Sequence, residues 1–316
     1  VISQHGRYIL FKPDNNLYVM EIASKKISQL TTDGNDSILN GYASWIYYEE
    51  VLGRQSKYKA FWWSADSKQI AFMRFDESGM AAFPIYVADG QHGYLEKERY
   101  PKPGDKNPAV QIGIVQMGNN TTAWADFSAK DDQYFGMPFW APDGQLWVQW
   151  MNRKQNLLKI YSIAAASGKK TIVYEEEQKT WIDLDDADRI TFFGDGKQFI
   201  LKSDAGGWTH MYLHDISGKR IVQLTEGEFS VGDIFRIDEK ARRVYFRARK
   251  ENSTRWDLYS VGLDGKHMQR HSFGDFSFTE MNLSPDFKYY TTTYSNLNSP
   301  STLALVDIKG KLVRDI

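Results

Sequence analysis

The sequence predicts an all-β fold arranged as a β-propeller, and three observations support this prediction. Phe, Trp and Tyr make up 15% of the 316 residues, and long helix-forming stretches are few. Short β-branched and aromatic runs, such as "KQIAFMRF" and "GQLWVQW", are bounded by turn-forming dipeptides. Two kinds of segment recur at intervals of roughly 45 residues, a period typical of four-stranded propeller blades.

The first recurring segment is an aspartate-containing turn that directly precedes a strand. It reads "WSADSK" in one copy and "WAPDGQ" in another. An aspartate side chain can accept a hydrogen bond from its own backbone two residues further on, which favours a turn. The five aspartates are Asp66, Asp143, Asp195, Asp238 and Asp286.

The second recurring segment is a strand that mostly reads polar, then apolar-Tyr-apolar. Its six copies span residues 16–22, 84–90, 159–165, 210–216, 257–263 and 302–308. Because a single blade cannot cover its own apolar faces, blades must stack on one another. We therefore expect one β-propeller domain over residues 1–316, with about seven to eight blades and an incomplete blade at the N-terminus. Residues 89–139 hold either another blade or a long insertion.

Composition excludes several classes of partner and chemistry. Lys and Arg number 39 against 40 Asp and Glu, a net charge of −1, so nucleic acid and anionic membranes are not expected partners. No apolar run is long enough for a membrane span, and the first residues show no signal-peptide pattern. The absence of cysteine excludes disulfides and cysteine catalysis but leaves the compartment open.

Motifs for nucleophilic chemistry are missing from these residues. No G-x-S-x-G elbow is present, and "SDAGGWTH" at 203–210 is interpreted as a turn. The histidines form no H-E-x-x-H pattern, and we interpret them as surface or packing residues. His210 and His214 share one face of a predicted strand. The six histidines are His5, His92, His210, His214, His267 and His271.

Metal and phosphate motifs are also missing. The acidic segment "DLDDAD" at 183–188 lacks the Gly and Glu that a calcium loop needs, since Asp188 and Gly194 occupy those positions. It is therefore interpreted as a solvated loop. "EEEQK" at 175–179 is interpreted as an exposed blade edge. The Gly-Lys turns do not match a phosphate loop, so we predict no catalytic residue, metal or cofactor.

Two adjacent glutamates, Glu49 and Glu50, stand between large apolar residues in "WIYYEEVL" at 45–52. A charged pair most often faces water. Apolar neighbours on both sides would instead fix the backbone and partly desolvate the carboxylates, which would suit them to bind a cation. The residues alone leave both interpretations open.

Several motifs resemble the N-terminal β-propeller domain of the dipeptidyl peptidase IV family of serine peptidases, especially its bacterial members. The resemblance covers most of the chain and rests on "WIYYEEV", "FWWSADSKQIAFMRFDES", "YPKPGDKNP" and "SDAGGWTHMYLHDISGKRIVQLTEGE". It implies that Glu49 and Glu50 bind the α-ammonium group of a peptide substrate in an enzyme that releases X-Pro or X-Ala dipeptides. Adjacent residues on a strand point to opposite faces, so both glutamates can reach one ammonium only from a short helical excursion.

The resemblance also implies the surroundings of this domain. A C-terminal α/β-hydrolase domain, absent from this chain, would carry the serine, aspartate and histidine, so we expect these 316 residues alone to be inactive. The full-length enzyme would be a periplasmic or secreted homodimer. The arginine that contacts the carbonyl of the substrate's second residue in this family would precede residue 1, so no residue is assigned to that role.

Two departures keep alternatives open. Eleven residues, 51–61, separate the glutamates from Trp62, about three more than in typical members, so this loop is expected to present extra groups to substrate. Prolyl tripeptidyl peptidases share the "GGW-x-H-x-YL" pattern, although the paired glutamates favour dipeptide release. The alternatives are a tripeptidyl peptidase and a protein-interaction propeller of a non-catalytic homologue.

Overall fold

Six antiparallel sheets and one separate hairpin contain the strands of the described chain. The computed structural model describes residues 1–184 and 189–316, of which strands make up 47% and helices 4%. The all-β prediction is therefore confirmed, and the described residues form six of the seven to eight expected sheets. The chain divides into two compact units, Val1–Ala187 and Asp188–Ile316.

The first unit contains three sheets. Sheet one comprises β1 (Tyr8–Phe11), β2 (Tyr18–Glu21) and β3 (Ile27–Gln29). Sheet two comprises β4 (Ile38–Asn40), β5 (Phe61–Trp63) and β6 (Gln69–Asp76), followed after the hairpin of β7 (Phe83–Val87) and β8 (Tyr94–Glu98) by β9 (Ala109–Gln116) and β10 (Thr121–Trp124). Sheet three comprises β11 (Gln133–Phe135), β12 (Phe139–Trp140), β13 (Leu146–Asn152), β14 (Leu157–Ile163) and β15 (Lys170–Glu177).

Short helical segments join some of these strands. They are a 3₁₀ turn at Pro13–Asn15, a π-helix at Tyr47–Val51 and a 3₁₀ turn at Arg54–Ser56. The last two lie in the connection between β4 and β5, so a single loop of sheet two carries both.

The β7–β8 hairpin resolves the ambiguous segment 89–139. It pairs only with itself, and β9 returns to β6 to complete sheet two, so the segment contains an insertion and not a further blade. The interpretation of 84–90 as a blade strand is therefore wrong. Tyr86 of that segment is 64% exposed, whereas Tyr161 and Tyr259, in equivalent blade strands, are buried.

Apolar side chains pack each sheet of the first unit against its neighbour. Sheets one and two share a cluster that includes Leu10, Leu17, Val19, Phe61, Trp63, Ile70 and Phe72. Sheets two and three share a larger cluster that includes Leu39, Tyr47, Met73, Phe75, Ile112, Phe135, Leu146 and Val148. Packing of each sheet on the next is the arrangement that the repeat pattern predicts.

The second unit contains three four-stranded sheets. Sheet four comprises β16 (Ile190–Phe192), β17 (Gln198–Ser203), β18 (His210–Asp215) and β19 (Arg220–Gln223). Sheet five comprises β20 (Val231–Asp238), β21 (Arg243–Ala248), β22 (Asp257–Gly262) and β23 (Gln269–Arg270). Sheet six comprises β24 (Ser277–Leu283), β25 (Tyr289–Asn296), β26 (Ser299–Asp307) and β27 (Leu312–Asp315). Apolar clusters again join sheet four to sheet five and sheet five to sheet six.

The five aspartate turns are confirmed, and they lead into β6, β13, β17, β21 and β25, respectively. The Asp66 carboxylate accepts hydrogen bonds from Ser64 Oγ at 2.7 Å and from the Lys68 amide at 3.0 Å. Asp286 repeats this arrangement with Ser284 Oγ at 2.7 Å and the Lys288 amide at 3.2 Å. The remaining three also accept a backbone amide two or three residues further on: Asp143 from Gln145, Asp195 from Lys197 and Asp238 from Ala241.

The histidines have the surface and packing roles that the sequence predicts. Three are exposed: His5, His92 and His267. Three are buried: His210, His214 and His271. His210 contacts Thr225 Oγ1 at 3.1 Å, and the His214 ring stacks on Phe199.

His271 joins sheets five and six through a fixed tautomer. Its Nδ1 bonds the Ile308 carbonyl, which can only accept, so Nδ1 carries the proton. Its Nε2 then accepts from Ser260 Oγ at 2.7 Å, and Ser260 in turn accepts from Arg243. Burial lowers the pKa of His271 below its ordinary value of 6.5. Protonation would place a second cation beside the Arg243 guanidinium.

We predict that acidification destabilises the chain through His271. Because the folded pKa lies below the unfolded one, the unfolded chain takes up the proton first. The stabilisation is complete above pH 6.5 and is lost as the pH falls below it. One such proton contributes at most about 1.4 kcal/mol per pH unit to the free energy of unfolding. Urea unfolding between pH 7.5 and 5 measures this slope, which His271→Gln should reduce. An unchanged slope in that variant, or an equal reduction in exposed His5→Gln, would contradict the assignment.

Candidate functional site

Glu49 and Glu50 lie in the one-turn π-helix at Tyr47–Val51. The Leu52 amide donates to the Tyr47 carbonyl at 2.6 Å, five residues back, and the Tyr48 amide donates to the Ser44 carbonyl at 2.9 Å. In a helix, unlike a strand, consecutive side chains do not point to opposite faces. The local geometry is thus helical, while projection of this segment out of a blade toward a substrate stays a prediction.

Tyr47 fixes the π-helix to the core of the first unit. Its ring is fully buried and meets Phe75 edge-on at a centroid distance of 4.9 Å. Its hydroxyl accepts a hydrogen bond from the Phe135 amide, on the first strand of sheet three, at 3.1 Å. The backbone that carries the glutamates is therefore attached to both sheet two and sheet three.

A column of aromatic rings supports the other side of the π-helix. Tyr48 stacks on Tyr58 at a centroid distance of 3.7 Å, and Tyr58 stacks on Tyr42 at 4.9 Å. Lys12 Nζ lies 3.5 Å from the centre of the Tyr42 ring, a cation–π contact, and burial lowers the Lys12 pKa to about 8. Burial also raises the pKa of Tyr58 to about 12, so this phenol stays neutral.

The Glu49 carboxylate is held by Arg54. Nε of Arg54 donates to both carboxylate oxygens, at 2.8 and 2.7 Å, and Nη2 donates to Oε1. The Glu49 side chain is 19% exposed, whereas that of Arg54 is 72% exposed. The hydrogen bond to Glu49 raises the pKa of Arg54 further above its usual range. The Glu49 carboxylate is thus partly shielded from solvent.

Glu50 differs from its neighbour. Its side chain is exposed, and it makes no hydrogen bond or ion pair with any residue in the described ranges. One carboxylate of the pair is thus already matched by a guanidinium, and the other faces open space. The three charges sum to −1, which suits a single cationic ligand.

Arg54 and the tyrosine column were not identified from the sequence. The long connection at 51–61 predicted that additional side chains would lie near the substrate, but it did not indicate which residue would do so. Tyr42 and Tyr58 lie 16 residues apart, and nothing local marks them as stacking partners.

The other sequence motifs have structural roles where they are described. Ser203 ends β17, and its Oγ accepts the Ala205 amide at 3.1 Å, so the glycine-rich segment is a turn. Residues 175–177 lie on β15, the edge strand of sheet three, and Glu175 and Glu177 are exposed as predicted. The prediction is wrong for Glu176, which is buried and accepts hydrogen bonds from Tyr174 and Gln178. Most of the acidic segment 183–188 lies outside the described residues.

Two features are absent from the described residues. No cluster of three or more His, Asp or Glu side chains in residues 1–184 and 189–316 has a geometry that could hold a metal ion. In the same ranges, no helix is both long and apolar enough to cross a membrane.

The successive antiparallel sheets define an all-β fold of the propeller class. Comparison with solved structures supports this class: the chain superposes along its whole length on Porphyromonas gingivalis dipeptidyl peptidase 4, with a TM-score of 0.87 and 26% identity. A Bacteroides ovatus structure shares the fold over 99% of the chain, with a TM-score of 0.80 and 24% identity.

The chain belongs to the family described as the dipeptidyl peptidase IV (DPP IV) N-terminal region, whose model matches residues 1–301. Dipeptidyl peptidase 4 of Arthroderma otae is 30% identical over 98% of the chain and 41% of its own length. Dipeptidyl peptidase 4 of Trichophyton rubrum is 30% identical over 93% of the chain and 37% of its own length. The chain thus spans about two fifths of these relatives.

We predict that Tyr47→Phe lowers the free energy of unfolding by about 1 to 3 kcal/mol, because the buried Phe135 amide loses its acceptor. The matched control is Tyr86→Phe, which removes the same hydroxyl from an exposed ring and should change stability by less than about 0.5 kcal/mol. Denaturant unfolding measures both variants. Equal effects in the two would show that the Tyr47 hydroxyl does not fix the π-helix to sheet three.

Proposed function

We propose that this chain is the substrate-gating, N-terminus-binding propeller of a serine exopeptidase that releases X-Pro or X-Ala dipeptides from peptide N-termini. The observation that carries the proposal is the pair of glutamates on a helical turn, with Glu49 held in place and Glu50 open to a ligand. Membership in the DPP IV N-terminal region family supports it. The chemical step belongs to a C-terminal α/β-hydrolase domain of the longer enzyme.

The glutamate pair suits a peptide amine chemically. An α-ammonium group has three donors, and a carboxylate only accepts. Charge-assisted hydrogen bonds of this kind are roughly twice as strong as neutral ones, and closure of the site by a second domain would strengthen them further. An N-acetylated peptide has lost both the charge and two of the donors.

Binding the N-terminus also sets the length of the product. Two extended residues span at most about 7 Å, so the bond after the second residue falls at a fixed distance from the glutamates. A nucleophile placed at that distance would cut there. Anchoring the amine also lowers the entropic cost of aligning that bond for attack.

We predict that Glu49→Gln and Glu50→Gln, made in the longer enzyme, each reduce kcat/KM on Gly-Pro-anilide by roughly tenfold or more, because each removes a charged acceptor from the ammonium. The unmodified enzyme should cleave Gly-Pro-anilide and not its N-acetylated form. A matched control is Glu21→Gln, which alters a partly exposed glutamate in sheet one that pairs with Arg7.

Two results would refute the proposal. One is unchanged kinetics in both glutamine variants. The other is equal cleavage of the free and the acetylated substrate, which would show that no group in the enzyme recognises the free amine. Efficient release of tripeptides with the same dependence on Glu50 would instead indicate a tripeptidyl peptidase.

Homodimer formation and export to the periplasm or medium are further parts of the proposal. The β7–β8 hairpin supports the dimer, because a two-stranded ribbon stabilises itself poorly and this one exposes apolar side chains. Tyr86 and Leu95 face each other across the ribbon and are 64% and 61% exposed. Arg99 fixes the base of the hairpin through the Met80 carbonyl and Ser37 Oγ.

We predict that Leu95→Glu shifts the longer enzyme from dimer to monomer, because it places a charge in an apolar contact between two copies. Sedimentation velocity at several concentrations measures the shift. Leu297→Glu, at a fully exposed leucine elsewhere, is the matched control and should leave the dimer intact. A dimer that persists in Leu95→Glu, or a monomeric parent enzyme, would contradict the role of the hairpin.

A further inference from the structure

We propose that Arg54 is a specificity-determining residue of the glutamate site, and that it makes the site favour peptides whose first residue is acidic over those whose first residue is basic. The inference rests on the proposed function, since it assumes that the α-ammonium binds at this site. Arg54 would recognise the side chain of the first substrate residue, whereas the glutamates bind its α-ammonium group.

The hydrogen bonding of Arg54 leaves donors available to a ligand. A guanidinium has five N–H groups in a planar fork. Arg54 uses Nε and Nη2 on Glu49, and no hydrogen bond connects its Nη1 to any residue in the described ranges. The side chain is 72% exposed, so those donors are accessible to a ligand. A guanidinium edge of this kind matches a carboxylate in two-pronged geometry.

The ion pair also makes the two glutamates unequal. Both oxygens of Glu49 already accept from Arg54, whereas Glu50 has no partner among the described residues. An incoming ammonium therefore finds its main acceptor in Glu50, one residue from the Arg54 partner. A side-chain carboxylate of the first substrate residue lies within roughly 4 to 5 Å of its own α-nitrogen, given bond lengths of about 1.5 Å. In the proposed complex, that carboxylate lies beside the free edge of Arg54, which is held against the neighbouring Glu49.

The loop that carries Arg54 has a defined shape. Gly53, at φ 74°, begins the 3₁₀ turn, and a Cβ at that position would lie 2.6 Å from the Gln55 side chain. Lys57 and Tyr58 follow at φ 50° and 59°, a left-handed conformation that side chains seldom adopt. The stacking of Tyr58 between Tyr42 and Tyr48 holds that conformation. The fixed loop keeps the guanidinium beside Glu49.

The expected effect is moderate. Two unit charges about 6 Å apart at a well-hydrated surface, where the effective dielectric constant is close to that of water at about 80, change affinity by about threefold. Exchanging an acidic first residue for a basic one reverses the sign of that interaction. Removing the Arg54 charge should therefore change the ratio of kcat/KM for the acidic substrate to that for the basic substrate by about tenfold.

The test compares Glu-Pro-anilide, Ala-Pro-anilide and Lys-Pro-anilide in the longer enzyme that carries this chain. In Arg54→Gln, the ratio of kcat/KM for Glu-Pro to that for Lys-Pro should fall about tenfold. Arg54→Lys should keep much of the ratio, since the charge remains. Arg7→Gln is the matched control, because Arg7 also forms an ion pair with a glutamate, Glu21, but directly precedes β1 of sheet one. In the unmodified enzyme, rising salt should bring the ratio toward one.

The outcomes separate this inference from the proposed function. If Glu50→Gln impairs cleavage of free amines while Arg54→Gln leaves the substrate ratio unchanged, Arg54 does not set specificity and the amine site stands. A salt-independent ratio in the unmodified enzyme would overturn the inference without any variant. If acetylated and free substrates are cleaved equally, the amine site is refuted and the inference fails with it.

Discussion

No sheet in this chain can bury both of its faces alone, and the rest of the structure follows from this constraint. A sheet of three to five strands has two apolar faces, and only its neighbours can cover them. The side chains that meet between sheets two and three therefore come from segments up to 126 residues apart, from Leu39 to Ala165. Positions that face these interfaces carry large apolar residues, while the turns between strands are left for polar residues. A loop inserted between strands can then vary in length without disturbing the core.

The glutamate site uses that freedom. It lies in the connection between β4 and β5, which pair with consecutive stretches of β6, so a few residues would suffice to join them. The chain instead forms a π-helix and a 3₁₀ turn, and it fixes them with one buried tyrosine and a stack of three aromatic rings. The carboxylates thus gain a rigid support, although they lie in a loop. Rigid support of this kind is a common requirement for a group that must bind a ligand in one orientation.

The sequence predicted those parts of the structure that depend on local chemistry. The aspartate turns were found because an aspartate side chain bonds its own backbone within two or three residues. The blade strands were found because their alternation is local as well. The 84–90 segment was wrongly assigned to a blade because a strand pattern does not indicate the pairing partner. In the structure, β7 pairs with β8 alone. Arg54 was missed for a related reason. Its ion pair with Glu49 depends on how an irregular loop folds, and no repeated sequence pattern indicates that fold.

The β7–β8 hairpin is inserted between β6 and β9, and this insertion has a consequence for how the chain folds. In the other sheets, each strand pairs with one that follows it closely in the chain. In sheet two, the central pair must bring together Gln69 and Gln116, which are 47 residues apart. Closing a long loop costs chain entropy before any contact repays it, and non-local pairing slows folding. The sheet whose loop carries the glutamates is therefore expected to be completed after its neighbours, and until then the edge of β6 is open to pairing with other chains.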